Sequence, residues 1–462
     1  MNKYWILFVL SSWLVGDAVH AQSRPPKYIV GPGEYQCFFI NTATGKIYGI
    51  STVPSAVGAE TGIPATPMLV GVPQDRRWIA AASGLHHSLV VDEHGEVWMW
   101  GAVGAGMEGN QGPGAVIEKP TRIVTDSLGN PFKGVVQVVA WSNYIGIGSG
   151  AIKSDGTVWV WGNTGGGIRG NGQFGQVNSK PVQVLMPKGK KMIRLVIGEI
   201  AIALASDGTV WTWGGYGRKD VLGTNTADFM HPHQVILPQA AKDIAGGNLF
   251  NYALGSNGTL YGWGAYSAYM GIGRKGYMAD NFTINTPRDL TNDLKLPHRI
   301  ASISTNSVST HVILTDSTLW GWGDNTMGCV GNGKEIDWAA YNPPYAWNWG
   351  PGELMQQQPV RLVAGVHNFT HLFGGSAAIF YCYAETATGQ LYSWGRNKAG
   401  VLGNGVMGAT SAIEGKYPNS WDVTVPTKVD PFALKGYTLV NSPYCRLHPD
   451  GFPCNQYKDN VR

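Results

Sequence analysis

The chain has 462 residues, a formal net charge of +4, and 14% charged residues set against 64 Gly and 18 Trp. So small a charge, with no basic run beyond Lys188-Gly-Lys190-Lys191, gives no concentrated positive field and argues against nucleic acid as a partner. After the first 21 residues no apolar stretch is long enough to cross a bilayer as a helix, which argues against a membrane anchor.

The first element is an export leader. Lys3 supplies the positive start, Trp5 to Val15 an apolar run too short to span, and Val19-His20-Ala21 the small residues that precede a cleavage point. Residues 1–21 are therefore expected to be removed before Gln22, leaving a secreted or periplasmic protein. The first Cys is Cys37, so no lipid-carrying Cys opens the mature chain. A monomer is expected.

From Tyr35 onward the chain repeats itself. A Gly or Ser leads into an aromatic-x-Trp-Gly strand six times: GEVWMWG at Gly95, GTVWVWG at Gly156, GTVWTWG at Gly208, GTLYGWG at Gly258, STLWGWG at Ser317 and GQLYSWG at Gly389. An eroded copy, GKIYGIS, stands at Gly45. Side chains alternate within each copy, as with Val158 and Val160 against Trp159 and Trp161, the period of two expected of a strand. More than half of the Trp are spent this way, which makes them core. Before each signature runs a second apolar strand joined by a tight turn such as Asp-Gly or Asn-Gly, a hairpin signal. After it comes a Gly/Asn-rich loop and a Pro-anchored strand, as in KPTRIV at Lys119, KPVQVL at Lys180, QPVRLV at Gln358 and VPTKV at Val425. Short strands in tandem units imply an all-β, seven-bladed β-propeller over residues 22–436, closed by strands from both chain ends that share one blade. Residues 437–462 form a Pro- and Cys-containing tail.

The loops WGDNTMGCVGNG at Trp322 and WGRNKAGVLGNG at Trp394, following a strand, Asp-Gly and aromatic-x-Trp-Gly, make the chain resemble the regulator of chromosome condensation repeat family. The resemblance covers about Tyr35 to Pro431 and implies a seven-bladed propeller that recognises proteins through one rim. Nuclear members act on a small GTPase, and secreted bacterial members include β-lactamase inhibitors. The family's Gly-x-x-His survives only as Gly84-Leu85-His86-His87, which points to a distant, secreted bacterial branch. The plant photoreceptor motif Gly-Trp-Arg-His-Thr is absent.

Two places are expected to bind. The interval from Gly323 to Gly395 holds an insertion, residues 334–358, with Trp338, Tyr341, Tyr345, Trp347 and Trp349 in a Pro- and Gly-broken segment suited to protein anchoring or sugar stacking. Trp421 is expected on the same surface. The loops after the signatures form the second place, with Asp324, Asn325, Arg396 and Lys398, and also Arg218, Lys219, Asp220, Arg274 and Lys275.

Catalytic and metal readings find little support. His86 and His87 are expected as core or turn histidines; His231 and His233 have ligand-like spacing but no evident third ligand; His367 and His371 lack the Glu of a zinc-protease helix. Glu108, Glu199, Asp337 and Glu353 are the carboxylates that would have to converge for glycosidic chemistry. No catalytic residue, metal or cofactor is assigned. Of five Cys, Cys445 and Cys454 are expected to form a disulfide in the tail. A Cys37–Cys382 bridge between the first and last repeats is an alternative left open, and Cys329 is read as a small buried hydrophobe. The expected function is a secreted scaffold that binds an extracellular protein or acts as an inhibitor. The alternative is a carbohydrate-active protein that binds or cleaves a polysaccharide, as a lyase or glycoside hydrolase if an enzyme.

Overall fold

A computed structural model describes residues 25–51, 66–85, 87–102, 116–143, 146–163, 165–175, 177–265, 267–272, 283–334, 355–375, 379–397, 399–407, 422–434 and 438–439. Within these, seven four-stranded antiparallel sheets follow one another along the chain. Their innermost strands are Tyr28–Pro32, Trp78–Ser83, Val135–Asn143, Met192–Ile197, Ala241–Gly246, Ile300–Thr305 and Phe369–Phe373, which define blades 1 to 7. Successive inner strands touch, and the last returns to the first, so the sheets form a closed ring.

The signature is the third strand of every blade, as in Val158–Asn163 and Val210–Gly214. Its second aromatic is fully buried at Trp100, Trp161, Trp213, Trp263, Trp322 and Trp394. Each such ring removes enough apolar surface to contribute on the order of 4 kcal/mol of transfer free energy. Several also lock neighbouring blades together: the Trp213 indole donates to the Ile168 carbonyl at 2.7 Å and Trp263 to that of Val221 at 3.1 Å. The hairpin before the strand has its own relay. Asp155 accepts from the Thr157 amide and hydroxyl, and Thr157 in turn accepts from the Trp159 indole at 2.9 Å. Asp207-Thr209-Trp211 and Asp316-Thr318-Trp320 repeat it.

The outer strands expose a backbone edge, and proline guards it. Pro120, Pro181, Pro287, Pro359 and Pro426 lie within outer strands, while Pro67 and Pro232 immediately precede those of blades 1 and 4. A residue without an N–H cannot extend the ladder to another chain.

Closure brings the two ends together, but no blade is shared between them. Tyr28 to Leu69 supplies all four strands of blade 1, with the eroded signature as its third, Ile47–Ser51; blade 7 is built wholly from Phe369 to Val429. The expected shared blade is therefore corrected: the N-terminal stretch already fills its sheet and leaves no place for a C-terminal strand. Side chains join the seam instead. Glu385 accepts from the Lys27 amide at 2.7 Å, the Tyr381 hydroxyl donates to the Gly33 carbonyl at 2.7 Å, Arg396 pairs with Glu34 at 2.8 Å, and Tyr28 stacks on Phe432.

Cys37, Cys329 and Cys382 are buried free thiols, so the Cys37–Cys382 bridge is also corrected. The two lie on the second strands of neighbouring blades, Gln36–Asn41 and Tyr381–Thr386, and packed sheets stand about 10 Å apart, beyond disulfide reach. Cys445 and Cys454, the leader at residues 1–21 and most of the tail lie outside the described residues.

Candidate functional site

In each blade the loop after the signature emerges on the face opposite the Asp-Gly hairpins, because the strands are antiparallel. In blades 6 and 7 this loop is a closed scaffold. Asn325 accepts from the Val330 amide at 3.0 Å and donates to Asn332 and to the Lys334 carbonyl; Asn397 accepts from the Leu402 amide at 3.0 Å and donates to Asn404 and the Val406 carbonyl. Asn325 and Asp324 are buried, which corrects their expected place among exposed rim contacts: the loop folds over them. Arg396 is also committed, to Glu34 across the seam and over the Phe380 ring. Lys398, Trp338, Tyr341, Tyr345, Trp347, Trp349, Trp421, Arg274 and Lys275 lie outside the described residues, as do His86, Glu108, Asp337 and Glu353.

The remaining histidines and carboxylates do not assemble a catalytic set. His87 is buried and bonded to Ser149 of the next blade at 3.0 Å. His367 meets Arg361, while His371 lies on the inner strand of blade 7, where burial depresses its pKa to about 4. Glu199 is buried and paired with Arg218, which also holds Asp220. The inner strands contribute one carboxylate among the described residues, Asp243, ion-paired with Arg194 at 2.9 Å. Its pKa is raised by burial, against the pull of Arg194.

Blades 3 and 4 present a different rim. The turn after the signature is a short 3-10 turn at Gly165–Gly167 in blade 3, Gly215–Gly217 in blade 4 and Thr326–Gly328 in blade 6. The central residue is left-handed in all three: Gly166 at φ 68°, Tyr216 at φ 54° and Met327 at φ 61°. Glycine takes this conformation freely, whereas a side chain is strained there by about 1 kcal/mol. Met327 recovers the cost by packing against the core. Tyr216 is 50% exposed and lies over Gly166, where a Cβ would come within 2.7 Å of its ring. Phe174, 52% exposed, meets Tyr216 edge-to-face at 5.8 Å and 82°, and Phe229 at 6.1 Å and 86°. Three rings thus make a corner open to solvent.

Asp228 immediately precedes Phe229 of this corner. One carboxylate oxygen faces His231 Nδ1 at 2.9 Å and His233 Nε2 at 3.2 Å, and the other accepts from the Met230 amide. Partial burial works to raise its pKa, but bonds from His231, the Met230 amide and His233 outweigh it and hold the carboxyl below its ordinary value. Asp228 is thus the partner that the His231/His233 spacing lacked. His231 is hydrogen-bonded to Asp228 and His233 lies at ion-pair distance from it, and no group of three or more such side chains among the described residues is arranged to hold a metal. Neither Phe174 nor Tyr216 was singled out from the sequence. The signal was present: a lone aromatic in the Gly-rich run GNGQFGQ, and an aromatic residue inside the Gly-rich turn WGGYG.

No family model matches the chain. Among curated proteins it is 27% identical over 334 residues to mouse E3 ubiquitin-protein ligase HERC2, covering 68% of this chain and 6% of that protein. It is 28% identical over 306 residues to the Arabidopsis thaliana mitochondrial RCC1 domain-containing protein RUG3, covering 62% and 60%. The chain therefore spans less than two thirds of the length of either relative. Among solved structures, Prp20p of Saccharomyces cerevisiae superposes with a TM-score of 0.62 at 22% identity, over 88% of this chain and 87% of that one, which bears on fold alone. The recurring signature, the closed ring of seven blades and these RCC1-like relatives agree, and the chain belongs to the RCC1 repeat family of β-propellers.

Proposed function

We propose that this chain is a protein-binding scaffold that works outside the cytoplasm and contacts its partner through the rim of blades 3 and 4. The observation that carries the reading is the half-exposed pair of rings Phe174 and Tyr216, the latter in a left-handed backbone conformation at φ 54°. Strain retained at a surface position is characteristic of contact sites, and aromatic anchors dominate protein interfaces. The comparisons support the general role: the solved structures include Prp20p with binding properties toward Gsp1p and histones, and yeast RCC1 bound by Kap60. Export rests on the leader pattern of residues 1–21. The aromatic segment 334–358 enters the proposal on its sequence alone, as a second contact region.

The test places a photo-crosslinking phenylalanine analogue at position 174 and, as control, at the exposed Leu69 of blade 1, in chains expressed from their own N-terminus. A discrete protein adduct from position 174 alone, recovered from the medium or periplasm, supports the proposal. Adducts equal at both positions would remove the rim assignment, and a chain retained in the cytoplasm would remove the export assignment.

A further inference from the structure

The same protein shows what such a corner of rings can hold. In blade 3, Phe132 and Trp159 meet edge-to-face at 5.6 Å and 72°, and the Lys153 ammonium sits 4.6 Å from one ring centroid and 4.3 Å from the other. The quadrupoles of two inclined faces converge on a single cation there. On the rim, Phe174 meets Tyr216 and Phe229 at nearly the same separation and at steeper angles, so that two half-exposed rings adjoin a third that is partly buried. Asp228 adds a full negative charge beside Phe229, kept ionised by its imidazole and amide donors.

Resting on the protein-binding reading above, we infer that the Phe174, Tyr216 and Phe229 corner, with Asp228, receives a lysine or arginine side chain of the partner protein. The rings provide cation–π attraction, which is stronger in a partly desolvated corner than on an open surface, and the carboxylate provides the longer-range pull. An aliphatic anchor of the same length would gain only contact area and nothing from the quadrupoles or from Asp228. The corner therefore discriminates by charge, which an ordinary hydrophobic patch does not.

The experiment introduces 4-fluorophenylalanine at position 174 of the full chain and follows its fluorine resonance during titration with end-blocked Gly-Ser-Lys-Ser-Gly. The arginine and norleucine counterparts are titrated in parallel. The lysine and arginine peptides are expected to shift the resonance saturably and the norleucine peptide to leave it in place. Tyr216→Ala is expected to weaken the lysine peptide by about 3-fold or more, the loss of one ring's cation–π contribution. Asp228→Asn should weaken it further as salt is lowered relative to wild type, with circular dichroism confirming that each variant is folded. Equal binding of the norleucine peptide, or no effect of Tyr216→Ala, would overturn the cation assignment. If position 174 still crosslinks a protein in that case, the scaffold reading stands without it; if it does not, both fall.

Discussion

The blade 6–7 interface and the blade 3–4 rim are built from the same repeat and use it to opposite ends. At the first, His311, Asn325 and Asn397 are turned inward. The Trp394 indole donates to His311 Nε2 at 3.1 Å, leaving Nδ1 to carry the imidazole proton toward Cys382 Sγ at 3.2 Å, and Asn397 staples the loop above. At the second, the loop of blade 4 has lost the stapling Asn, and Tyr216 holds the left-handed position with half its surface in water. Repetition thus constrains the residues that join blades and releases those that cap them, and the released positions are where recognition can differ from one member of the fold to another.

The sharpest way to break this contrast is at the buried ring. Trp394→Ala removes a fully buried indole and leaves His311 without its donor, so a loss of about 4 kcal/mol is expected in denaturant-unfolding free energy. Tyr216→Ala, on the other side of the comparison, should stay within about 1 kcal/mol of wild type. Similar costs for the two would mean that the rim ring is scaffold as well.

Acid probes the same interface without a mutation. Burial lowers the His311 pKa to about 4, and the Val330 carbonyl, 3.2 Å from Nε2, raises it only in part. The unfolded chain takes up this proton near pH 6.5, while the folded chain refuses it until about pH 4. Stability from this group is therefore fully present above pH 6.5, declines as pH falls from there, and levels off below the folded value. His311→Gln should flatten that part of the unfolding-midpoint curve between pH 6.5 and 4; an unchanged slope would assign the acid sensitivity elsewhere.

A smaller loss is expected at the staple. Asn397→Ala deletes three bonds at once and leaves the Leu402 amide unpaired in a buried loop, at a cost of about 2 kcal/mol. Crosslinking from position 174 should be unchanged in this variant. If the rim loses its partner as well, the two regions are coupled and the contrast drawn between them is too simple.

What is legible in the sequence follows the same division. The fold was legible because its signals are repeated obligations: a Trp that must be buried, a turn that must be tight, an outer strand that must contain Pro. The seam was less so, since whether two chain ends share a sheet depends on register and length, and the degenerate GKIYGIS gave too little weight to a complete first blade. Asp324 and Asn325 were misplaced because polar residues in a loop signal solvent by composition, whereas here the loop closes over them. Phe174 and Tyr216 were passed over because each occurs once. A singular residue leaves no periodic trace, and its exposure becomes evident only when the neighbouring blade stands beside it.

The finest test of the comparison sets two left-handed residues against each other. Tyr216→Gly and Met327→Gly relieve the same backbone strain, about 1 kcal/mol, and incur the same unfolded-state entropy, about 0.7 kcal/mol. What differs is the side chain: Met327 packs on the core, while the Tyr216 ring is half exposed and touches Gly166 and Phe174. Tyr216→Gly should therefore be nearly neutral in stability and Met327→Gly worse by about 1 kcal/mol, as read from paired urea midpoints. Recognition should reverse the order, with the lysine peptide weakened by about 3-fold or more in Tyr216→Gly and unchanged in Met327→Gly. A strained residue whose removal leaves stability unchanged but weakens binding is held in place by what it contacts outside the molecule. If Tyr216→Gly instead proves the more destabilising of the pair, the ring supports the rim's own architecture and the partner must be sought at another face.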